Sequence, residues 1–379
     1  MNKVKSTSFI RPQIRTLPAY EPILPFEVLS RQLGRSPCQI IKLDANENPY
    51  SISPAVRLAL ADIEFPHIYP DPESRLLRAA LSKFTGISAE NLLVGSGADE
   101  LIDLVMRLIL EPGDRVINCP PTFGMYAFDT ELNAGQLVEV PRRSDFSLDL
   151  DGIRSAVEIT QPKLLFLTSP NNPDGSLIPP EPLKELLHLP VLLVLDEAYI
   201  EFADENNSLG KNLSHITHVP NLENLIVLRT FSKWAGLAGL RIGYGAFPNW
   251  LMPELWKAKQ PYNVNVAASA AAITSMEDTA YISELVSRLR AERTRLMKGL
   301  NRIPYIRTYP SSSNFILCQV SGIPAVRLKT DLAEKYGILV RYLNKPGLRD
   351  CIRISVGKPE HTDALLLALS GMDIQTLVN

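Results

Sequence analysis

The chain holds only four cysteines, Cys38, Cys119, Cys318 and Cys351, far apart and with no CxxC pair. That spacing speaks against a disulfide scaffold or a thiolate-bound zinc and suits a reducing, cytoplasmic setting. No apolar run reaches the roughly 18 residues a membrane helix requires, so no membrane partner is expected. Neither sign of charge dominates: 39 Lys and Arg stand against 41 Asp and Glu, a net charge of −2. Such a balance gives no footprint for nucleic acid, and any anionic ligand must be captured locally. His215 and His218 form an HxxH pair with no accompanying carboxylate or thiolate set, so no metal is expected. The first twenty residues carry Lys3, Lys5, Arg11 and Arg15 and no acid, but lack the apolar core of a secretory signal. A terminal arm is expected there. Internal repeats and low-complexity linkers are also missing.

What is present is enough for a large core: 379 residues, 45% of them hydrophobic. Short runs at 116–118, 164–168, 191–195, 225–228 and 242–246 are apolar on both faces, as strands of a parallel sheet between helices are. Between them, 98–110 has helical periodicity and stops at Pro112-Gly113. A long helix is expected over 278–303, with Tyr281, Ile282, Leu285, Leu289, Leu296 and Leu300 near one face. Strands at 315–320 and 351–356 follow it. The fold class is therefore α/β: a large domain with a mostly parallel sheet between helices, plus a smaller α+β domain. The expected division is 1–45 as an arm and part of the small domain, 46–270 as the large domain, and 271–379 as the small domain. Thirty prolines, many of them before residue 75, suggest an extended, rigid lead-in.

Four clusters can do chemistry. Val94-Gly95-Ser96-Gly97-Ala98-Asp99-Glu100 is a glycine-rich turn entering a helix, where free N–H groups can meet an anion. A dinucleotide fingerprint would need a third glycine where Glu100 stands, which argues against a nicotinamide dehydrogenase. Ser169-Pro170-Asn171-Asn172-Pro173-Asp174-Gly175 follows a buried strand, the place where open α/β sheets bind ligands. In Leu195-Asp196-Glu197-Ala198-Tyr199 an acid closes an apolar strand and needs a cation or donors to offset its burial. In Arg229-Thr230-Phe231-Ser232-Lys233-Trp234, continuing through Leu237 to Arg241, a lysine sits among aromatics and glycines. Desolvation there lowers its pKa and frees the amine as a nucleophile, while Thr230, Ser232 and Arg241 are phosphate-ligand types.

In this order the clusters resemble the class I and II, fold-type-I pyridoxal-phosphate aminotransferases, over nearly the whole chain. The stretches Leu43-Asp44-Ala45-Asn46-Glu47-Asn48-Pro49-Tyr50, Tyr69-Pro70-Asp71-Pro72 and Asp196-Glu197-Ala198-Tyr199-Ile200-Glu201-Phe202 are similar to the histidinol-phosphate branch of that family. The resemblance implies pyridoxal 5'-phosphate bonded to Lys233, with Lys233, Asp196 and Tyr199 catalytic. It implies Asp196 on the ring nitrogen, Asn172 and Tyr199 on the phenolic oxygen, and Phe123 stacked on the ring. Gly97, Ala98, Asp99, Thr230, Ser232 and Arg241 would surround the phosphate, Asp99 through its N–H. Tyr69 would reach the phosphate of a partner subunit's cofactor, making the active unit a homodimer. Tyr20, Asn172, Arg341 and Arg353 would bind substrate, a phosphorylated amine or a 2-oxo acid.

The implied reaction converts L-histidinol phosphate and 2-oxoglutarate to imidazole-acetol phosphate and L-glutamate. A broad aromatic aminotransferase and a decarboxylase of a phosphorylated amino acid are the alternatives. A non-enzymatic regulator is disfavoured, because the chain has neither room for a DNA-binding domain nor a basic face. The chain departs from the family pattern at Asp174, where threonine is common, which adds a negative charge near the cofactor loop, and at Trp234-Ala235.

Overall fold

The computed structural model describes residues 9–19, 24–206 and 208–372. Two sheets organise them. The larger contains β2 (Leu92–Gly95), β3 (Arg115–Asn118), β4 (Gln136–Glu139), β5 (Leu164–Thr168), β6 (Leu192–Asp196), β7 (Leu225–Thr230) and β8 (Gly243–Ala246), in the spatial order β2-β8-β7-β6-β5-β3-β4. Alternate residues of the central strands face opposite cores. Leu165, Leu167, Leu193 and Leu195 pack with Leu77, Leu81, Ile153 and Ala271 on one side. Leu164, Phe166, Leu192 and Val194 pack with Leu101, Val105, Met106 and Leu255 on the other. Two buried faces per strand explain the unbroken apolar runs, and each such side chain contributes about 1.5–3 kcal/mol.

The smaller sheet is built from β1 (Ile41–Leu43), β9 (Ile306–Thr308), β10 (Phe315–Val320), β11 (Ile338–Tyr342) and β12 (Cys351–Ser355), in the order β1-β11-β12-β10-β9. β1 lies parallel to β11, and the remaining pairs are antiparallel. The helix Thr279–Leu300 links the two sheets' cores: Ile282, Val286 and Leu289 enter the first, Leu296 and Leu300 the second.

Two expectations need correction. The run at 242–246 is a buried strand, but β8 runs antiparallel to both neighbours, β2 and β7. Apolarity on both faces reports burial and not direction. The lead-in is less extended than its prolines suggested, because helices occupy Pro12–Thr16, Phe26–Leu33 and Pro54–Ala61. Pro12 and Pro54 stand in the first helical turn, where a missing N–H costs nothing. The charge at 174 lies inside the turn that follows β5. Asp174 is buried, and its carboxylate is taken up by Asn171 Nδ2 and the Ser176 N–H.

Candidate active site

β3, β5, β6 and β7 are mutually parallel, so their carboxyl ends share one edge of the sheet. β2, two reversals away from β7, points the same way. The loops leaving that edge carry the chemical clusters. Ala98, Asp99, Phe123, Asn172, Asp196, Tyr199, Thr230, Ser232, Lys233 and Arg241 line one cavity of about 110 Å³. A roomier cavity of about 680 Å³ shares Phe123, Asn172, Tyr199, Ser232, Lys233 and Arg241 and adds Arg341 and Arg353.

At one end stands the helix Ala98–Ile109, whose N-cap Gly97 offers no side-chain cap. Its first N–H groups are thus left for an external acceptor. Thr230 Oγ1 donates to Ser232 Oγ at 3.0 Å, and Arg241 Nη1 reaches the same Ser232 oxygen at 3.4 Å. Arg241 Nη2 donates to Asp99 Oδ2 at 3.0 Å, so the Asp99 side chain orients the guanidinium, a role beyond its N–H. Two glycines let these parts meet. A Cβ on Gly97, at φ +84°, would stand 2.4 Å from Arg241 Nη2. One on Gly243 would stand 2.4 Å from the Ala98 nitrogen.

At the other end is Asp196, buried, accepting from Tyr126 Oη at 2.6 Å and from the Ala198 N–H at 2.9 Å. Burial pushes its carboxyl up to about 6, against those two hydrogen bonds and the nearby Lys233 charge. Burial, then the Asp196 charge, holds the Tyr126 phenol well above its ordinary value, so it remains the donor. Between the two ends lies Lys233. Its side chain opens partly to the cavity but lies deep in the protein, with Nζ 6.0 Å from the Tyr199 ring centre. Burial, with Arg353 and Arg241 adding to it, pushes the ammonium down to about 8, while Glu47 and Asp99 pull the other way.

Arg353 donates to Asn172 Oδ1 at 2.6 Å and to the Asp44 carbonyl at 2.9 Å. It sits directly across the β11–β12 ladder from Arg341. Facing like charges repel, and an anion held between them relieves this. Phe123 packs edge-on to Tyr126 at 5.5 Å and lines both cavities. Tyr69 is not brought to this cavity: it is 80% exposed and stacks on Tyr262 at 4.8 Å. Tyr20 lies outside the described residues.

Two residues escaped the sequence reading. Tyr126 stood in a helix with no signal that its hydroxyl meets Asp196. Asn46 donates to Tyr199 Oη at 3.1 Å and takes its own N–H to Ser355 Oγ at 2.8 Å, tying the ring-side tyrosine to β12. Its φ of +56°, which asparagine tolerates better than most residues, places it there.

The donor set fits pyridoxal 5'-phosphate. An uncapped helix, two hydroxyls and an arginine would suit a phosphate. Asp196, which has no ion-pair partner among the described residues, would suit a pyridinium, and the Lys233 amine a carbonyl carbon. Comparison with known proteins agrees. The model of the aminotransferase class I and II family matches residues 39–369. The chain is 54% identical to histidinol-phosphate aminotransferase 1, chloroplastic, of Arabidopsis thaliana, over 97% of this chain and 87% of that one. It is 50% identical to the histidinol-phosphate aminotransferase of Roseiflexus castenholzii, over 95% and 97%. The crystal structure of histidinol-phosphate aminotransferase from Sinorhizobium meliloti in complex with pyridoxal-5'-phosphate superposes with a TM-score of 0.88 at 31% identity, covering 98% of each chain. A buried lysine between a phosphate cradle and a lone carboxylate, on a fold shared end to end with these enzymes, makes the chain a member of the class I and II aminotransferase family, in its histidinol-phosphate aminotransferase branch.

Proposed function

We propose that the chain transfers the amino group of L-histidinol phosphate to 2-oxoglutarate, giving imidazole-acetol phosphate and L-glutamate, a step of histidine biosynthesis. The carrying observation is a buried lysine with its ammonium pushed down to about 8, opening on a cavity that two cross-strand arginines flank. The names of relatives 45–54% identical support the substrate.

The Ala98 N–H, Thr230, Ser232 and Arg241 would hold the phosphate of pyridoxal 5'-phosphate, with Asp99 steadying Arg241 and Gly97 giving the close approach. Phe123 would cover the ring, and Asn172 and Tyr199 would hold its phenolic oxygen. Bound there, the cofactor supplies an electron-withdrawing ring that acidifies the α-hydrogen of a linked amine. Asp196 keeps the ring nitrogen's proton in place by its opposite charge. Lys233 Nζ, largely neutral above pH 8, takes the proton that leaves the substrate's Cα. Arg353 and Arg341 grip the anionic ends, a fork that suits the carboxylates of 2-oxoglutarate and the phosphate of the amine alike. Tyr20 is a candidate for a further phosphate contact.

We read the active unit as a homodimer, which the exposure of Tyr69 away from its own cavity supports. We read residues 46–270 as a large unit, and 271–379 with part of 1–45 as a smaller one. A cytoplasmic setting is supported by four free cysteines, and no helix among the described residues is long and apolar enough to cross a membrane.

The test is turnover. Purified protein with cofactor, histidinol phosphate and 2-oxoglutarate should form glutamate, with kcat/KM at least ~100-fold above that for phenylalanine, because a site built for a charged group rejects its absence. Equal turnover of phenylalanine, or carbon dioxide released from threonine phosphate, would replace this reading by one of the alternatives.

A further inference from the structure

The acid that departs from the family pattern, Asp174, is part of a buried staple between two active-site turns. The turn after β5 carries Asn172 into the cavity and is closed by Gly175 N–H to the Asn171 carbonyl at 2.7 Å and by Asn171 N–H to the Ser176 carbonyl at 2.8 Å. Asp174 locks it from inside, accepting from Asn171 Nδ2 with one oxygen and from the Ser176 N–H at 2.9 Å with the other. Asn171, itself buried, then reaches the turn before Phe123: its Nδ2 donates to the Pro121 carbonyl at 3.1 Å, and its Oδ1 accepts from Thr122 Oγ1 at 2.9 Å. The same turn meets the lead into β10, where the Ser312 N–H donates to the Gly175 carbonyl at 2.8 Å. One end of this network sets Phe123. The other sets Asn172, whose Oδ1 holds Arg353 at 2.6 Å.

A threonine would offer one hydroxyl oxygen where the carboxylate sets a separate oxygen on each donor. The chain supplies a reason for a charge as well. Arg142 is buried, donates to the Phe146 carbonyl at 3.0 Å and leaves Nε and Nη2 without hydrogen-bond partners among the described residues. Burial pushes its guanidinium below the ordinary value, and Asp174 is the strongest charge opposing that.

We propose that Asp174 is a positioning residue: by fixing Asn171 it sets the turn that carries Asn172, and so aims the Arg353 guanidinium at the substrate's anionic end. The inference rests on Arg353 being the substrate clamp, the reading given above.

The experiment compares wild type with Asp174→Thr and Asp174→Asn. The glutamate half-reaction is followed by cofactor absorbance, with thermal melting and cofactor affinity measured alongside. Asp174→Thr should raise the glutamate half-saturation about 10- to 100-fold, as a misplaced clamp does. The limiting rate should change less than about threefold. If Asp174→Thr fails to fold, Asp174→Asn, which keeps one acceptor, carries the test with a smaller rise in the same quantity. A half-saturation equal to wild type in a folded variant overturns the proposal, as does a loss confined to the limiting rate. The glutamate half-reaction needs no histidinol phosphate. A wild type that reacts with glutamate but not with histidinol phosphate therefore sinks the substrate reading alone.

Discussion

Tyr126→Phe isolates one hydrogen bond. The ring stays packed against Phe166 at 5.1 Å and Phe123 at 5.5 Å, while the 2.6 Å bond to Asp196 Oδ2 is lost. A hydrogen bond to a charged group contributes about 1.5–3 kcal/mol, and one pKa unit corresponds to about 1.4 kcal/mol. The Asp196 carboxyl, near 6 in the cofactor-free protein, should therefore rise to roughly 7–8 in the variant. Only the ionised carboxylate pairs with a pyridinium, so affinity falls as pH drops through that value. At pH 7 the ionised fraction falls from about nine-tenths to between about one-half and one-tenth, which predicts about 2- to 10-fold weaker cofactor binding. At pH 9 wild type and variant should converge. Titrating cofactor-free protein with pyridoxal phosphate by absorbance at pH 6, 7, 8 and 9 reads this directly. Equal affinities throughout, or a deficit that persists at pH 9, would refute the claim that Tyr126 tunes Asp196.

Cofactor attachment to Lys233 should quicken with pH, because below about 8 the ammonium dominates and above it the free amine does. Stopped-flow mixing should show a roughly tenfold rise from pH 7 to pH 9, and a flat profile would contradict the depressed value. Arg353→Lys keeps the charge but loses the fork that reaches Asn172 and Asp44, and should raise the KM for 2-oxoglutarate about tenfold. Steady-state kinetics check this; an unchanged KM would move the clamp elsewhere. Gly97→Ala places a Cβ 2.4 Å from Arg241 Nη2 at a φ of +84°. That strain, of order 1–3 kcal/mol, should appear as at least about fivefold weaker cofactor binding in an equilibrium titration.

The parts of this molecule that were readable in advance are those where one residue answers to one local force. Strands β5, β6 and β7 could be found because both of their faces are buried and every position must be apolar. The helix Thr279–Leu300 was visible through its single apolar stripe. β4, half-exposed along its length, carries no such run and passed unnoticed. The reversal of β8 was hidden because a strand buried on both faces reads the same in either direction. The lysine, the aspartate and the two hydroxyls announced themselves because polar groups at the ends of apolar strands demand an explanation. Tyr126 and Asn46 did not, since a tyrosine in a helix and an asparagine in a loop satisfy local rules without a partner. Their roles exist only once β6 and β12 bring Asp196 and Ser355 to them. The meaning of Asp174 likewise waited for Asn171 and the turn they close together.

The measurement that bears most directly on the account is chemical trapping. The protein saturated with pyridoxal phosphate, reduced with borohydride and digested, should carry the phosphopyridoxyl group on the peptide containing Lys233, and histidinol phosphate added before reduction should prevent the labelling. A label on another lysine, or none at all on a coloured protein, would contradict it.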